Sequence, residues 1–146
     1  METKHPIRVG MIIFMEPNVD AAVDFYKKLG FPVAFHLAGK WAELQIGTVK
    51  LGLCPTDMEL YERHTGVILE VDDVAAMYND LKAAGVEFVR EPFEAVHGIM
   101  ASFKDPGLNI IDLYQPTPEK VHELATKIKN NNEECNATQE CNNCSC

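Results

Sequence analysis

Two acidic residues interrupt stretches that are otherwise apolar and that have the length of β-strands. Glu70 follows the apolar run at 66–69, and Asp112 lies within the run at 109–115. If the two carboxyl groups meet in a shared cleft, they would hold one proton between them and could act as a general acid or base. The alternative is that each carboxylate lies at a sheet edge in contact with water. Glu70 and Asp112 are therefore candidate catalytic residues, and whether the chain is an enzyme stays open.

Aromatic and thioether side chains could recognise an apolar or planar molecule. Trp41 and Glu43 alternate onto one face of a predicted strand, where they would form an aromatic wall with a polar handle. A tryptophan packed at a dimer interface is the alternative. Methionines would line an adaptable pocket, although they are equally suited to filling a core. The candidate ligand-binding residues are Met11, Met15, Trp41, Glu43, Glu70, His97, Asp112 and Tyr114.

Four of the five cysteines crowd into the C-terminal segment, as Cys135, Cys141, Cys144 and Cys146. A framework of structural disulfides would spread its cysteines through the fold. Closely spaced thiolates can instead chelate a soft ion such as Cu(I), Zn²⁺, Cd²⁺ or trivalent arsenic without a prior fold. The alternative is a tail whose thiols are redox-labile or incidental. The surrounding residues have no apolar face to bury, which predicts that residues 131–146 are disordered without a ligand.

A repeat with a period of fifty-five residues indicates which elements would position these side chains. It aligns Asn18 with Asp73 and Gly30 with Gly85. Asn18 and Asp73 are suited to cap the start of a helix, and the two glycines are suited to end it in a left-handed conformation. An apolar strand precedes each helix and three further strands, separated by turns, follow it. The pattern β-α-β-β-β therefore occurs twice.

The two copies define the domain organisation. Half one spans about residues 7–55 and half two about residues 64–116, within one domain at 1–116. A predicted helix at 117–130 follows the domain and precedes the cysteine-rich tail. A unit as short as one half cannot bury both faces of its sheet alone, so we expect the halves to pair and a ligand to bind between them.

Charge and hydropathy exclude several partners. The chain has 146 residues, of which 22 are acidic and 13 basic, and its formal net charge is -9. The basic residues form no patch, so the chain is not suited to bind nucleic acid or an anionic membrane surface. Its apolar runs are shorter than the roughly 18 residues that a membrane span needs. The N-terminal segment lacks the apolar core of a secretory signal, so we expect a cytoplasmic protein whose partner is a small molecule.

Four spaced motifs resemble those of the vicinal oxygen chelate superfamily, which includes glyoxalase I, bleomycin-resistance proteins, fosfomycin-resistance enzymes and extradiol dioxygenases. The motifs are DAAVDFYKKLGF at 20–31, LEVDDV at 69–74, LKAAGV at 81–86 and FKDPGLNIIDL at 103–113. The likeness covers residues 7–116, about three quarters of the chain. It implies an α+β fold in which paired βαβββ modules curl around a cleft. The cleft is often completed by dimerisation in this superfamily, so we expect a homodimer.

Enzymes of this superfamily place metal ligands, usually His, Glu or Gln, at four equivalent points on the strands that face the cleft. Carried over onto this sequence, these positions are Met11, Gly52, Gly66 and Asp112. One carboxylate cannot hold a catalytic ion, because such sites take about three protein ligands. We therefore expect no metal cofactor in the cleft. The alternative is a divalent metal held by some set of Glu70, Asp112, His64 and His97.

The resemblance and the tail together leave three functions open. The first, which we expect, is a small-molecule-binding protein similar to bleomycin-resistance proteins, without the usual metal in its cleft. The second is a metal-dependent lyase or dioxygenase like glyoxalase I. The third is the binding or sensing of a soft metal ion through the cysteine-rich tail.

Overall fold

The computed structural model describes residues 2–137 of the chain. Within them, eight strands and three helices follow one another in the predicted order. These elements are β1 (Met11–Glu16), α1 (Val19–Lys28), β2 (Val33–Leu37), β3 (Trp41–Ile46), β4 (Val49–Pro55), β5 (Arg63–Glu70), α2 (Val74–Ala83), β6 (Glu87–Ala95), β7 (Gly98–Lys104), β8 (Asn109–Pro116) and α3 (Pro118–Ala137).

The strands form two four-stranded sheets with the same topology. The order is β1-β4-β3-β2 in the first sheet and β5-β8-β7-β6 in the second. In each sheet the first strand pairs in parallel with the fourth, and the remaining neighbours are antiparallel. The structure therefore confirms the predicted α+β fold of paired βαβββ modules, followed by a C-terminal helix.

The helix α1 and its counterpart α2 begin and end in the same way. The side chains of Asn18 and Asp73 each accept a hydrogen bond from the backbone N–H three residues further on, at 3.0 and 2.9 Å. Each helix is followed by a glycine in the left-handed region, with φ of 89° at Gly30 and 90° at Gly85. An L side chain would be strained at this angle, so these glycines fix the point at which the chain leaves the helix.

Each sheet has one buried face and one open face. Leu51 and Leu53 in β4, and Ile111 and Leu113 in β8, are almost fully buried on the side of the helices. The residues between them point the other way, because side chains alternate along a strand. We call these opposite sides the first open face, on β1–β4, and the second open face, on β5–β8.

A buried polar cluster joins the two halves. The hydroxyl of Tyr26 in α1 donates a hydrogen bond of 2.7 Å to Asp105, in the turn before β8. The side-chain amide of Asn109 contacts both Asp105 and the fully buried carboxyl group of Glu16. Burial, reinforced by the neighbouring Asp105, raises the pKa of Glu16 to about 10, so its carboxyl group is neutral at physiological pH. A Cβ at Gly107 would collide with this carboxyl group, so the turn needs glycine there.

The helix α3 is longer than the sequence predicts. It continues to Ala137, so the predicted boundary at residue 130 is wrong. The run at 130–132 contains neither the glycine nor the proline that commonly ends a helix, and the two glutamates after it favour helix. Residues 138–146 of the predicted tail lie outside the described residues.

Among the residues that the structure describes, no helix has both the length and the apolar composition needed to cross a membrane.

Candidate functional site

The first open face is centred on Trp41. The indole Nε1 of Trp41 donates a hydrogen bond of 3.2 Å to Glu43, two residues along β3. A Cβ placed on Gly52 would lie 2.8 Å from Trp41 Cη2 and 2.9 Å from Met11 Sδ, so the ring and the thioether pack directly over this glycine. Three predicted ligand-binding residues, Met11, Trp41 and Glu43, therefore come together in one cluster of an aromatic ring, a thioether and a carboxylate.

Met15 lies on the same face near the junction of the halves. It pairs with Cys54 of β4. Its carbonyl oxygen accepts hydrogen bonds from the Arg63 guanidinium and the Asn109 amide, both at 3.2 Å. These two hydrogen bonds from half two fix the position of the Met15 backbone, and therefore of its Cβ, on the open face.

Other residue types occupy the positions at which enzymes of the superfamily that the sequence resembles carry their metal ligands. Gly52 lies beneath the side chains of Trp41 and Met11, and a side chain at position 52 would displace the ring. Gly66 has φ of 71° and lies where the register between β5 and β8 shifts, a conformation that other residues rarely adopt. Of the four positions, only Asp112 carries a carboxylate. Because a catalytic metal takes about three protein ligands, these residues do not fit such a site.

The second open face carries a row of polar residues across three neighbouring strands. Arg90 of β6 pairs with Ser102 of β7, which pairs with Asp112 of β8. The Ser102 hydroxyl donates a hydrogen bond of 2.6 Å to Asp112 Oδ1. Because strands lie about 4.8 Å apart, the backbones of Arg90 and Asp112 are about 10 Å apart. A cation and a carboxylate therefore mark the two ends of the row.

A bulge in β6 places Phe93 beside this row. The register of β6 shifts between Arg90 and Phe93, where Pro92 occurs, so both residues face the same side although they are three apart. The strand tolerates Pro92, which has no N–H to donate, because the bulge leaves this position outside the hydrogen-bond ladder. The Arg90 guanidinium carbon lies 3.3 Å from the centre of the Phe93 ring, in a cation–π contact.

These side chains line a cavity of about 470 Å³. This volume lies within the range of about 300–1,000 Å³ that is typical of ligand pockets. The lining residues are Glu62, His64, Val89, Arg90, Phe93, Met100, Ser102, Ile110 and Asp112. Of the predicted ligand-binding residues, this set includes Asp112.

His97 and Tyr114 lie together at one end of the second open face. Their rings are 5.1 Å apart between centroids, and the Tyr114 hydroxyl donates a hydrogen bond of 3.2 Å to the His97 carbonyl oxygen. Tyr114 also packs closely against Gly98, where a Cβ would lie 2.6 Å from the ring. The aromatic pair is therefore fixed by the tight turn between β6 and β7.

Glu70 lies on the predicted side of its strand but in a different cavity from Asp112. It pairs with Tyr114, while Asp112 pairs with Ile68, which places Glu70, Asp112 and Tyr114 on one face. Glu70 lines a smaller cavity of about 230 Å³ together with apolar residues from both halves, among them Phe31 and Leu113. Within the described residues no hydrogen bond joins Glu70 to Asp112, whose polar partner is Ser102.

Among the side chains that the structure describes, no three His, Cys, Asp or Glu residues converge closely enough to hold a metal ion. The alternative set of Glu70, Asp112, His64 and His97 is divided between the two cavities and the end of the face. Cys141, Cys144 and Cys146 lie outside the described residues, and Cys135 is known only as part of α3.

Sequence reasoning missed Arg90, Phe93 and Ser102. The signal that could have found them is Pro92, because a proline in a strand-like run indicates a bulge and a bulge changes which side chains share a face.

A family model of the Glyoxalase/Bleomycin resistance protein/Dioxygenase superfamily matches residues 8–113. A bleomycin resistance protein from Klebsiella pneumoniae is 28% identical to this chain over 107 residues, which make up 67% of this chain and 84% of that protein.

Two solved structures illustrate the similarity of the fold. TnmS3, an antibiotic binding protein from Streptomyces sp. CB03234, superimposes with a TM-score of 0.60 and 28% identity, covering 77% of this chain and 100% of that chain. Lactoylglutathione lyase from Agrobacterium tumefaciens superimposes with a TM-score of 0.63, covering 77% of this chain and 96% of that chain. Its identity is 17%, so this second likeness concerns the fold alone.

Proposed function

Because the chain belongs to the glyoxalase/bleomycin resistance protein/dioxygenase superfamily, we propose that it is a small-molecule-binding protein of the bleomycin-resistance type. It holds a planar or partly apolar molecule against its open faces and has no metal cofactor in the cleft. The observation that carries the proposal is the packing of Trp41 and Met11 over Gly52. This packing puts an aromatic surface at two of the positions where a metal enzyme needs ligands. The similarity to an antibiotic binding protein and to a bleomycin resistance protein supports the same class of function.

Trp41 provides both the anchor and the probe for a test. It is the only tryptophan in the chain, so we expect its fluorescence to change when a ligand stacks on it. The panel consists of aromatic antibiotics, quinones and thiol conjugates. For a compound that binds, Trp41→Ala should weaken the affinity by about 2 kcal/mol, which is about thirtyfold, because aromatic anchors contribute on this scale.

Calorimetry measures this affinity independently of fluorescence. Trp41→Phe is the matched control, since it keeps a ring and should lose less affinity than Trp41→Ala. The site on the first open face would be wrong if Trp41→Ala bound every compound as tightly as the wild type.

The sequence offers a second candidate function, in which the tail binds a soft metal ion. It rests on the spacing of Cys135, Cys141, Cys144 and Cys146, whose thiolates are the ligands that soft ions prefer. In this function the domain would carry the tail, and the tail would bind or sense the ion. A lyase or dioxygenase, the remaining alternative, would need a metal in the cleft.

Metal analysis of the full-length chain, purified without chelator, separates the three functions. The control variant replaces the four tail cysteines by serine. We expect neither protein to retain a stoichiometric divalent metal in its cleft. Metal that is lost in the serine variant would support the tail function. Metal that the serine variant retains would support the lyase or dioxygenase and contradict a cleft without metal.

We also propose that the protein is a homodimer, located in the cytoplasm. Ile13, Phe35 and Leu37 on the first sheet are about half exposed, and apolar patches of this kind are commonly covered by a partner. A second copy would cover them and complete the cleft. Sedimentation of the purified chain should give twice the monomer mass, and a monomer throughout the micromolar range would contradict the dimer.

A further inference from the structure

We infer that the second open face recognises a flat molecule with an anionic group at one end and a hydrogen-bond donor at the other. This inference rests on the proposed function and names the class of ligand. It concerns the cavity between Arg90 and Asp112 rather than the cluster around Trp41.

The anionic group of the ligand is inferred from the contacts that the Arg90 guanidinium makes within the protein. Phe93 covers one face of its guanidinium group at 3.3 Å and so orients the plane of the group. Within the part of the chain that the structure describes, no carboxylate or carbonyl oxygen pairs with the Arg90 guanidinium. Its N–H donors lie in the plane of the group, and this fork matches the two oxygens of a carboxylate.

Glu62, the second acidic residue that lines the cavity, does not occupy the place of an anionic ligand beside Arg90. Glu62 lines the same cavity, but its carboxylate pairs with Lys104 Nζ at 3.1 Å. Lys104 Nζ also pairs with Glu87 at 2.9 Å, so it offsets part of the negative charge of Glu62. The formal charge of -9 repels anions from the molecule in general. An exposed positive group that lines a cavity, as Arg90 does, therefore serves local recognition rather than long-range attraction.

The donor end of the ligand is assigned from Asp112. Ser102 donates to Oδ1 of this half-buried carboxylate. The other oxygen, Oδ2, has no hydrogen-bond partner within residues 2–137 and can accept an N–H or O–H group from a ligand. Asp112 would repel an anionic group placed beside it, so the ligand has one orientation.

The separation of Arg90 and Asp112, together with the apolar residues of the cavity, determines the shape of the ligand. Arg90 and Asp112 are separated by two strand spacings, about 10 Å between their backbones. Met100 and Ile110 supply an apolar surface in the same cavity. Fused aromatic rings that carry an acid at one end and a hydroxyl at the other meet these requirements.

Three probes of one ring system separate the two ends. They are a hydroxynaphthoate with its substituents at opposite ends, its carboxamide, which is neutral, and its methyl ether, which lacks the hydroxyl donor. We expect calorimetry on the full-length chain to show that the acid binds about tenfold more tightly than the carboxamide, because charge-assisted hydrogen bonds are the strong ones. The acid should also bind more tightly than its methyl ether.

Variants then assign each preference to a residue. Arg90→Gln should reduce the tenfold preference for the acid to about twofold or less, whereas Asp112→Asn should reduce the preference for the hydroxyl over the ether. Arg8→Gln is the matched control, since Arg8 is an exposed arginine outside the cavity. It should leave both preferences unchanged.

The inference is overturned if the carboxamide binds the wild type as tightly as the acid, or if Arg90→Gln keeps the full preference. It is also overturned if the acid does not bind while neutral or cationic compounds of the antibiotic panel do, a result that leaves the proposed binding function intact. If no compound of any charge binds, both the ligand class and the proposed function are wrong.

Discussion

Replacing Asp105 by alanine is expected to lower the free energy of unfolding by about 3–5 kcal/mol, because it leaves several buried donors without an acceptor. Asp105 is 3% exposed and accepts hydrogen bonds from the Tyr26 hydroxyl and from the backbone N–H groups of Gly107 and Asn109. Each orphaned buried donor costs about 1–3 kcal/mol.

Urea denaturation of the variant measures this loss directly, and the melting temperature should fall by about 10 °C. Asp24→Ala is the control, since Asp24 is exposed on α1 and should change stability by less than about 0.5 kcal/mol. Tyr26→Phe removes a single hydroxyl group and should cost about 1 kcal/mol. A loss in Asp105→Ala no larger than that of the control would show that the cluster does not hold the halves together.

The fold was predictable because its signals are local and occur twice. Asn18 and Asp73 cap their helices, and Gly30 and Gly85 end them, through bonds that span only a few residues. The equivalent positions are fifty-five residues apart, so each half confirms the assignment of the other. The end of α3 has no counterpart in the repeat, and its predicted boundary was wrong.

The candidate site was predictable only where regular alternation along a strand is preserved. Alternation put Trp41 with Glu43, and Asp112 with Tyr114, on their faces as expected. Regular alternation would not bring Arg90 and Phe93, which are three residues apart, onto one face, and it is the bulge at Pro92 that does so. The contact between Arg90 and Phe93 follows from that bulge, and residue patterns alone do not place a bulge to the residue.

The protonation of the Glu16 carboxyl group could not be predicted from the sequence, for a different reason. Asn109, its hydrogen-bond partner, is 93 residues away in the chain. Nothing near Glu16 in sequence indicates that β1 ends against the turn at Asp105. The carboxyl group is buried only when the two halves pack together, so its protonation is a property of the complete domain.

Glu16→Gln is expected to remove a large part of the pH dependence of stability. In the folded protein burial, together with the adjacent Asp105, raises the pKa of Glu16 from 4.5 to about 10. A raised pKa in the folded state means that the contribution of Glu16 is fully present below pH 4.5 and is lost as the pH rises towards 10.

The wild type should therefore lose stability between about pH 5 and 9, with a slope of up to about 1.4 kcal/mol per pH unit from this one group. Glutamine has the same shape and stays neutral, so the free energy of unfolding of Glu16→Gln should depend much less on pH and should exceed that of the wild type at pH 9. Urea denaturation at a series of pH values measures both slopes. Glu59→Gln, which changes an exposed acid, should retain the slope of the wild type. If wild type and Glu16→Gln lose stability in parallel over this range, Glu16 is ionised in the folded protein and the assignment of its proton is wrong.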